Sequence, residues 1–219
     1  MKEPKKKRDK VGFLYRFCLI VMPIVYRIFC PLTFRSCGEA PESGFIICCN
    51  HLSLNDPFFL AIAHKRRKIH FMAKEELFKN KLLAAAITSL GAFPVSRGNS
   101  DRSAIVRAKE IVEEGNVLGI FIEGTRSKTG ELLKPKSGAA LIAYQTNAPV
   151  LPMCITPRGG GVKKLFRRVK ISSGKLITPE ELGIVDGTSK EIRNAARLIM
   201  DRITELREED LADFERGKK

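Results

Sequence analysis

His51 and Asp56, five residues apart in NHLSLNDPFF (50–59), are the first residues in this chain whose types suit catalysis. That spacing sets two residues about 140° apart on a helix, so a shared helical face does not join them. They meet if His51 leaves the end of a strand and the loop turns back to a helix beginning at Asp56. One carboxylate then caps the helix and accepts from a ring nitrogen. An imidazole held in one tautomer in this way is suited to taking the proton of a hydroxyl. The same spacing also describes a loop histidine beside an ordinary helix cap.

Other polar residues fall at the ends of hydrophobic runs. FIEGTRSKTGEL (121–132) delivers Glu123, Gly124, Thr125 and Arg126. Glycine permits close backbone approach, and an arginine fork matches a phosphate bidentately. The alternative is a turn with a solvated arginine. GAFPVSRG (91–98) delivers Ser96 and Arg97 in the same manner, and Lys74 ends the run KIHFMAK (68–74). APVLPMCIT (148–156) carries two prolines and no charged side chain, so it shapes a wall or a turn.

The elements that must position these residues alternate. FIICCN (45–50) reads as a buried strand, and Asp56-Pro57 as an N-cap followed by a proline at the first helical position. That helix is expected to run through FFLAIAHKRR. KIHFMAK is strand-like and LFKNKLLAAAITSLG helical, with Gly91 as its stop. A strand over 92–97, an amphipathic helix ending at Gly115, a strand over 116–124 and a helix over 138–147 follow. APVLPMCIT and RRVKISSG supply two more strands, and Thr188 with Glu191 makes a capping box for a helix through about Glu208. The pattern is that of an α/β fold: a single domain over 37–219 with a mixed, largely parallel central sheet flanked by helices. In such folds functional loops follow the carboxyl ends of strands.

Residues 1–36 read differently. MKEPKKKRDK precedes VGFLYRFCLIVMPIVYRIFCPLTF, whose longest uncharged stretch, Phe17 to Tyr26, is ten residues where about twenty are needed to span hydrocarbon. Arg16, Pro23 and Arg27 share one helical stripe on an otherwise apolar surface. An amphipathic, membrane-associating helix lying in the interface fits this pattern, its arginines snorkelling to headgroups. The preceding lysines add about 1 kcal/mol each on anionic lipid. A helix packed on the domain is the alternative.

Composition narrows the partners. A formal charge of +15 over 219 residues favours anionic partners. Zinc-finger spacing and an aromatic RNA-binding signature are absent, so no nucleic acid is expected. The six cysteines, 18, 30, 37, 48, 49 and 154, lack metal-ligand spacing and read as reduced, mostly buried thiols. Neither a metal nor another cofactor is expected.

Taken in order, NHLSLND, GAFPVSR, FIEGTRS and APVLPMCI resemble the four blocks of the glycerolipid acyltransferase family. The likeness is closest to the bacterial 1-acyl-sn-glycerol-3-phosphate (lysophosphatidic acid) acyltransferases, over roughly residues 40 to 160. Ile122 replaces a proline that often precedes the glutamate, and Ser96 stands where an acidic or amide residue is frequent. Neither change removes a catalytic group.

The resemblance implies a function. His51 is the general base and Asp56 orients it, while a lipid hydroxyl attacks an acyl thioester directly, without an acyl-enzyme. Arg126 is the first choice for the acceptor phosphate, followed by Arg97 and Lys74. Glu123 braces the loop or binds the glycerol portion, and backbone N–H groups of the Glu123-Gly124-Thr125 loop suit the oxyanion. The donor is acyl-CoA or acyl carrier protein, the acceptor lysophosphatidate and the product phosphatidate. The site is at the cytoplasmic face of an anionic membrane, held peripherally or monotopically. The other readings are a sister acyltransferase using another lysolipid and a non-catalytic basic protein binding anionic membrane or nucleic acid.

Overall fold

Short apolar runs bounded by turn residues form the strands of this protein, and the helices between them cover both faces of the sheet. The computed structural model describes residues 9, 11–37, 40–65, 67–95, 102–162 and 166–217. From the N-terminus the elements are α1 (Phe13–Phe29), β1 (Leu32–Ser36), β2 (Phe45–Cys49), α2 (Asp56–Ala63) and β3 (Ile69–Lys74). A 3-10 turn (Glu75–Phe78), α3 (Lys81–Ser89), β4 (Ala92–Val95), α4 (Arg102–Glu113) and β5 (Val117–Phe121) come next. The chain closes with α5 (Gly138–Thr146), β6 (Val150–Pro157), β7 (Val169–Ser173) and α6 (Ser189–Arg216).

Among the described residues, seven strands form one sheet in the order β1-β7-β6-β2-β5-β3-β4. All neighbours are parallel except β6 and β7. The mixed, mostly parallel sheet expected from the sequence is therefore present. β2 lies between β5 and β6 and is buried throughout, as a central strand covered on both faces must be. Its side chains alternate between two cores. Ile46 and Cys48 join the one under α4, α5 and α6, whereas Phe45, Ile47 and Cys49 join the one under α1 and α2.

Several boundaries differ from the sequence expectation. Leu32–Ser36, read as part of the N-terminal segment, is an edge strand paired with β7. α2 stops at Ala63, four residues short of the expected end, and α6 continues to Arg216. The helix expected from Leu77 is a 3-10 turn followed by a separate α3. Asn80 caps α3, its side chain accepting from the N–H groups of Leu82 and Leu83 at 3.0 and 3.1 Å. The Thr188–Glu191 capping box forms as expected.

α1 carries three stripes. Tyr15 and Tyr26, eleven residues apart and hence nearly in line, are buried against the domain. Tyr15 accepts from the N–H of Ile69 at 3.2 Å, and Tyr26 donates to the side-chain oxygen of Asn55 at 3.3 Å. Phe13, Phe17, Ile20, Ile24 and Ile28 form an exposed apolar stripe about 180° away. Arg16 and Arg27 are exposed along its flank. Among the described residues no helix is long and apolar enough to cross a membrane.

Candidate active site

Because β2, β5, β3 and β4 are consecutive in the sheet and all parallel, their carboxyl ends lie side by side. The chain leaves β2 through Asn50, whose side chain continues the strand ladder. It accepts from the N–H of Ile155 at 2.8 Å and donates to the carbonyl of the same residue at 3.0 Å. That clamp on β6 fixes where His51 emerges.

Asp56 is fully buried and its carboxylate makes four hydrogen bonds. Oδ2 accepts from the N–H groups of Leu52 and Ser53 at 2.6 and 2.7 Å and from Nδ1 of His51 at 2.8 Å. Oδ1 accepts from the Ser53 hydroxyl at 2.6 Å. A carboxylate held by three donors on one oxygen is an acceptor only, so Nδ1 carries the proton and Nε2 is the basic nitrogen. A buried charge needs such a set of partners to be tolerated. The expected N-cap role of Asp56 does not hold: Asn55 occupies the cap position, Asp56 is already in the first turn, and its carboxylate turns back to the 51–53 loop. The imidazole stacks on Phe121 at 3.9 Å between ring centres, and Phe121 stacks on Phe71 at 5.8 Å.

The loop after β5 is tied to the same histidine, for Ser127 donates its N–H to the His51 carbonyl at 2.8 Å. Gly124 sits at φ +69°, a left-handed conformation suited to glycine. Its N–H closes a turn on the Phe121 carbonyl at 2.9 Å and is not available to an oxyanion. The amides of Thr125 and Arg126 have no partner among the described residues. Glu123 is 1% exposed, and both carboxyl oxygens lack a hydrogen-bond partner. Burial pushes its pKa up to about 7. Backbone N–H groups of Leu133 and His51 face the carboxyl and pull the other way without reaching hydrogen-bonding geometry, and the charge of Asp56 raises it further.

His51, Phe121 and residues 124–126 of the loop after β5 border a cavity of about 760 Å³. His51, Lys74, Gly124, Thr125, Arg126 and Lys136 supply its polar rim. Its larger part is apolar, with Leu19 and Met22 of α1, Phe58 and Ile62 of α2, and Ile87 and Leu90 near α3. A base at the mouth of an apolar cleft, beside three cationic side chains, suits a hydroxyl-bearing amphiphile with an anionic head. Lys74 is 3.7 Å from the carboxylate of Glu76.

Residues 33–156 match the family model described as Acyltransferase. Over 174 residues the chain is 34% identical to the 1-acyl-sn-glycerol-3-phosphate acyltransferase of Bacillus subtilis, covering 79% of this chain and 84% of that protein. The chain belongs to the acyltransferase family. The enzyme of the same name from Streptococcus pneumoniae is 29% identical over 151 residues, which is 68% of this chain and about half, 55%, of the streptococcal one. The crystal structure of the 1-acyl-sn-glycerophosphate (LPA) acyltransferase PlsC from Thermotoga maritima shares the fold, with a TM-score of 0.68 at 24% identity over 89% of this chain and 78% of that one.

Of the expected site residues of this acyltransferase, His51, Asp56, Lys74, Glu123, Gly124, Thr125 and Arg126 gather at the ends of β2, β3 and β5. Arg97 and Ser96 lie outside the described residues. His64 and His70, the other histidines, are absent from the cavity lining. Burial lowers the pKa of His70 to about 4, with Lys68 adding to the effect; Asp9, 3.3 Å away, opposes it. Burial also pushes the thiols of Cys48 and Cys49 well above the ordinary cysteine range, so neither serves as a nucleophile at neutral pH. Asn50, Phe121, Ser127 and Lys136 were not singled out from the sequence. Asn50 carried a signal, since a polar residue closing an apolar strand needs a partner. The other three acquire their roles only through tertiary contact.

Proposed function

We propose that this acyltransferase moves a fatty acyl group from an acyl thioester to the free sn-2 hydroxyl of 1-acyl-glycerol-3-phosphate, forming phosphatidate. The observation that carries this reading is His51, pinned through Nδ1 by buried Asp56 at the mouth of an apolar cleft whose rim also holds Arg126. Nε2 takes the hydroxyl proton as the oxygen attacks the thioester carbonyl. The amides of Thr125 and Arg126 face the developing oxyanion. Collapse of the tetrahedral intermediate breaks the C–S bond, and the proton on Nε2 passes to the departing sulfur. Arg126 and Lys74 hold the acceptor phosphate, with Arg97 assigned to the same role.

The apolar stripe of α1, flanked by Arg16 and Arg27, docks on the headgroup region of an anionic membrane and opens the cleft to its lipid substrates. On this reading the protein sits peripherally on the cytoplasmic face and takes its acyl group from acyl-CoA or acyl carrier protein. The test is phosphatidate formation from lysophosphatidate in anionic mixed micelles, with acyl-CoA and acyl carrier protein supplied separately. Turnover with at least one donor is expected. Absence of product with both donors would contradict the assignment of acceptor and reaction.

A further inference from the structure

Lys136 is a cavity residue with no role in the reaction as described above. Its backbone N–H donates to the carbonyl of Ile122 at 2.7 Å, which clips the loop before α5 against the residue preceding Glu123. Its stem then runs along Gly124, where an added Cβ would meet the Lys136 Cγ at 3.2 Å and no other heavy atom within 4 Å. Glycine at 124 thus provides both the left-handed turn and room for the lysine stem. Lys136 is exposed to the cavity beside Thr125 and Arg126 and makes no ion pair among the described residues.

The other rim lysine differs. Lys74 faces the Glu76 carboxylate at 3.7 Å, so part of its charge is already balanced. A phosphate monoester carries about −1.5 to −2 at neutral pH, more than one guanidinium neutralises. Arginine binds such a group through a planar fork, and lysine adds a compact charge that reaches a third oxygen.

We propose that Lys136 is a substrate-binding residue of the acyl-transfer site, pairing with Arg126 across Gly124 to hold a phosphate ester. The proposal rests on the reading given under Proposed function, and the phosphate comes from the lysolipid acceptor or from the donor. Kinetics with Lys136→Met and Lys136→Arg separate these sources. The backbone clip to Ile122 survives both substitutions.

If the acceptor supplies the phosphate, Lys136→Met raises KM for lysophosphatidate about tenfold, the loss of one hydrogen bond to a charged group. In that case kcat and the KM for acyl-CoA change little, and Lys136→Arg restores most of the loss. A rise confined to the acyl-CoA KM, also restored by arginine, supports the site with the donor as the source. Both KM values within twofold of wild type would overturn the proposal. A second measurement needs no turnover: titration of the detergent-solubilised protein with sn-glycerol 3-phosphate, followed by calorimetry or by the amide resonances of 124–126. Binding weakened about tenfold in Lys136→Met supports the site, and equal binding in both proteins overturns it. An enzyme that binds the phosphate yet turns over neither donor would instead contradict the proposed reaction.

Discussion

Replacing Glu123 by glutamine removes a carboxyl that is 1% exposed and lacks a hydrogen-bond partner. Burial raises its pKa from 4.5 to about 7. The unfolded chain releases this proton near pH 4.5, whereas the folded chain keeps it until about pH 7. Between those values the folded state binds more protons, so the contribution of Glu123 to stability falls as pH rises and levels off above pH 7. The full span corresponds to about 3 kcal/mol, of which roughly 2 to 2.5 is lost between pH 5 and pH 8. His70 has the opposite sign: its folded pKa of about 4 lies below its unfolded value, so its contribution rises with pH over much of the same window. The wild-type curve alone therefore mixes two effects, and the difference between variant and wild type isolates Glu123. The chain has no tryptophan, so urea unfolding is best followed by far-ultraviolet circular dichroism in a non-ionic detergent. Stability of Glu123→Gln relative to wild type is expected to rise by about 2 kcal/mol from pH 5 to pH 8. A difference that does not change with pH would refute the raised pKa and the unpartnered carboxyl behind it.

Two other substitutions test how the site is supported. A methyl group at Gly119 would overlap the Phe71 ring and crowd Ile69, and Phe71 is stacked through Phe121 onto His51. Gly119→Ala is expected to cost about 1–3 kcal/mol and to lower kcat about tenfold, as read from urea unfolding and initial rates. Asn50→Ala removes both bonds to Ile155 and leaves the N–H and carbonyl of that residue buried without their partner. A loss of about 2–4 kcal/mol in urea unfolding is expected, with kcat reduced in samples that remain folded.

Legibility in the sequence followed how local each signal was. The alternation of strands and helices, the capping box of α6 and the loop from His51 to Asp56 all rest on residues within a few positions of one another. Asp56 still acts differently from the expected cap, because the donors at Leu52, Ser53 and His51 compete for the same carboxylate. β1 was not legible: LTFRS is short, half exposed and follows a proline, and only pairing with β7, more than a hundred residues away, makes it a strand. Leu77 to Gly91 read as one helix because its apolar content hid the break at Asn80, whose cap signal starts α3 afresh. Lys136 lies in LLKPKSG, a loop without periodicity, and joins the site through a single backbone bond to Ile122. The two tyrosines of α1 are similar. Their spacing was visible, but their burial opposite the apolar stripe depends on Ile69 and Asn55.

If His51 is the base of an acyl transfer whose lipid docking is separate from its chemistry, removing its imidazole stops the reaction and leaves membrane binding intact. The most direct measurement compares wild type with His51→Ala for acyl transfer from labelled acyl-CoA or acyl carrier protein to lysophosphatidate, alongside co-sedimentation with anionic vesicles. The variant is expected to lose at least about a hundredfold in kcat, since a positioned general base contributes about 10²–10⁴, while vesicle binding is unchanged. Turnover by His51→Ala at near wild-type rate would contradict the assignment of His51 as the base.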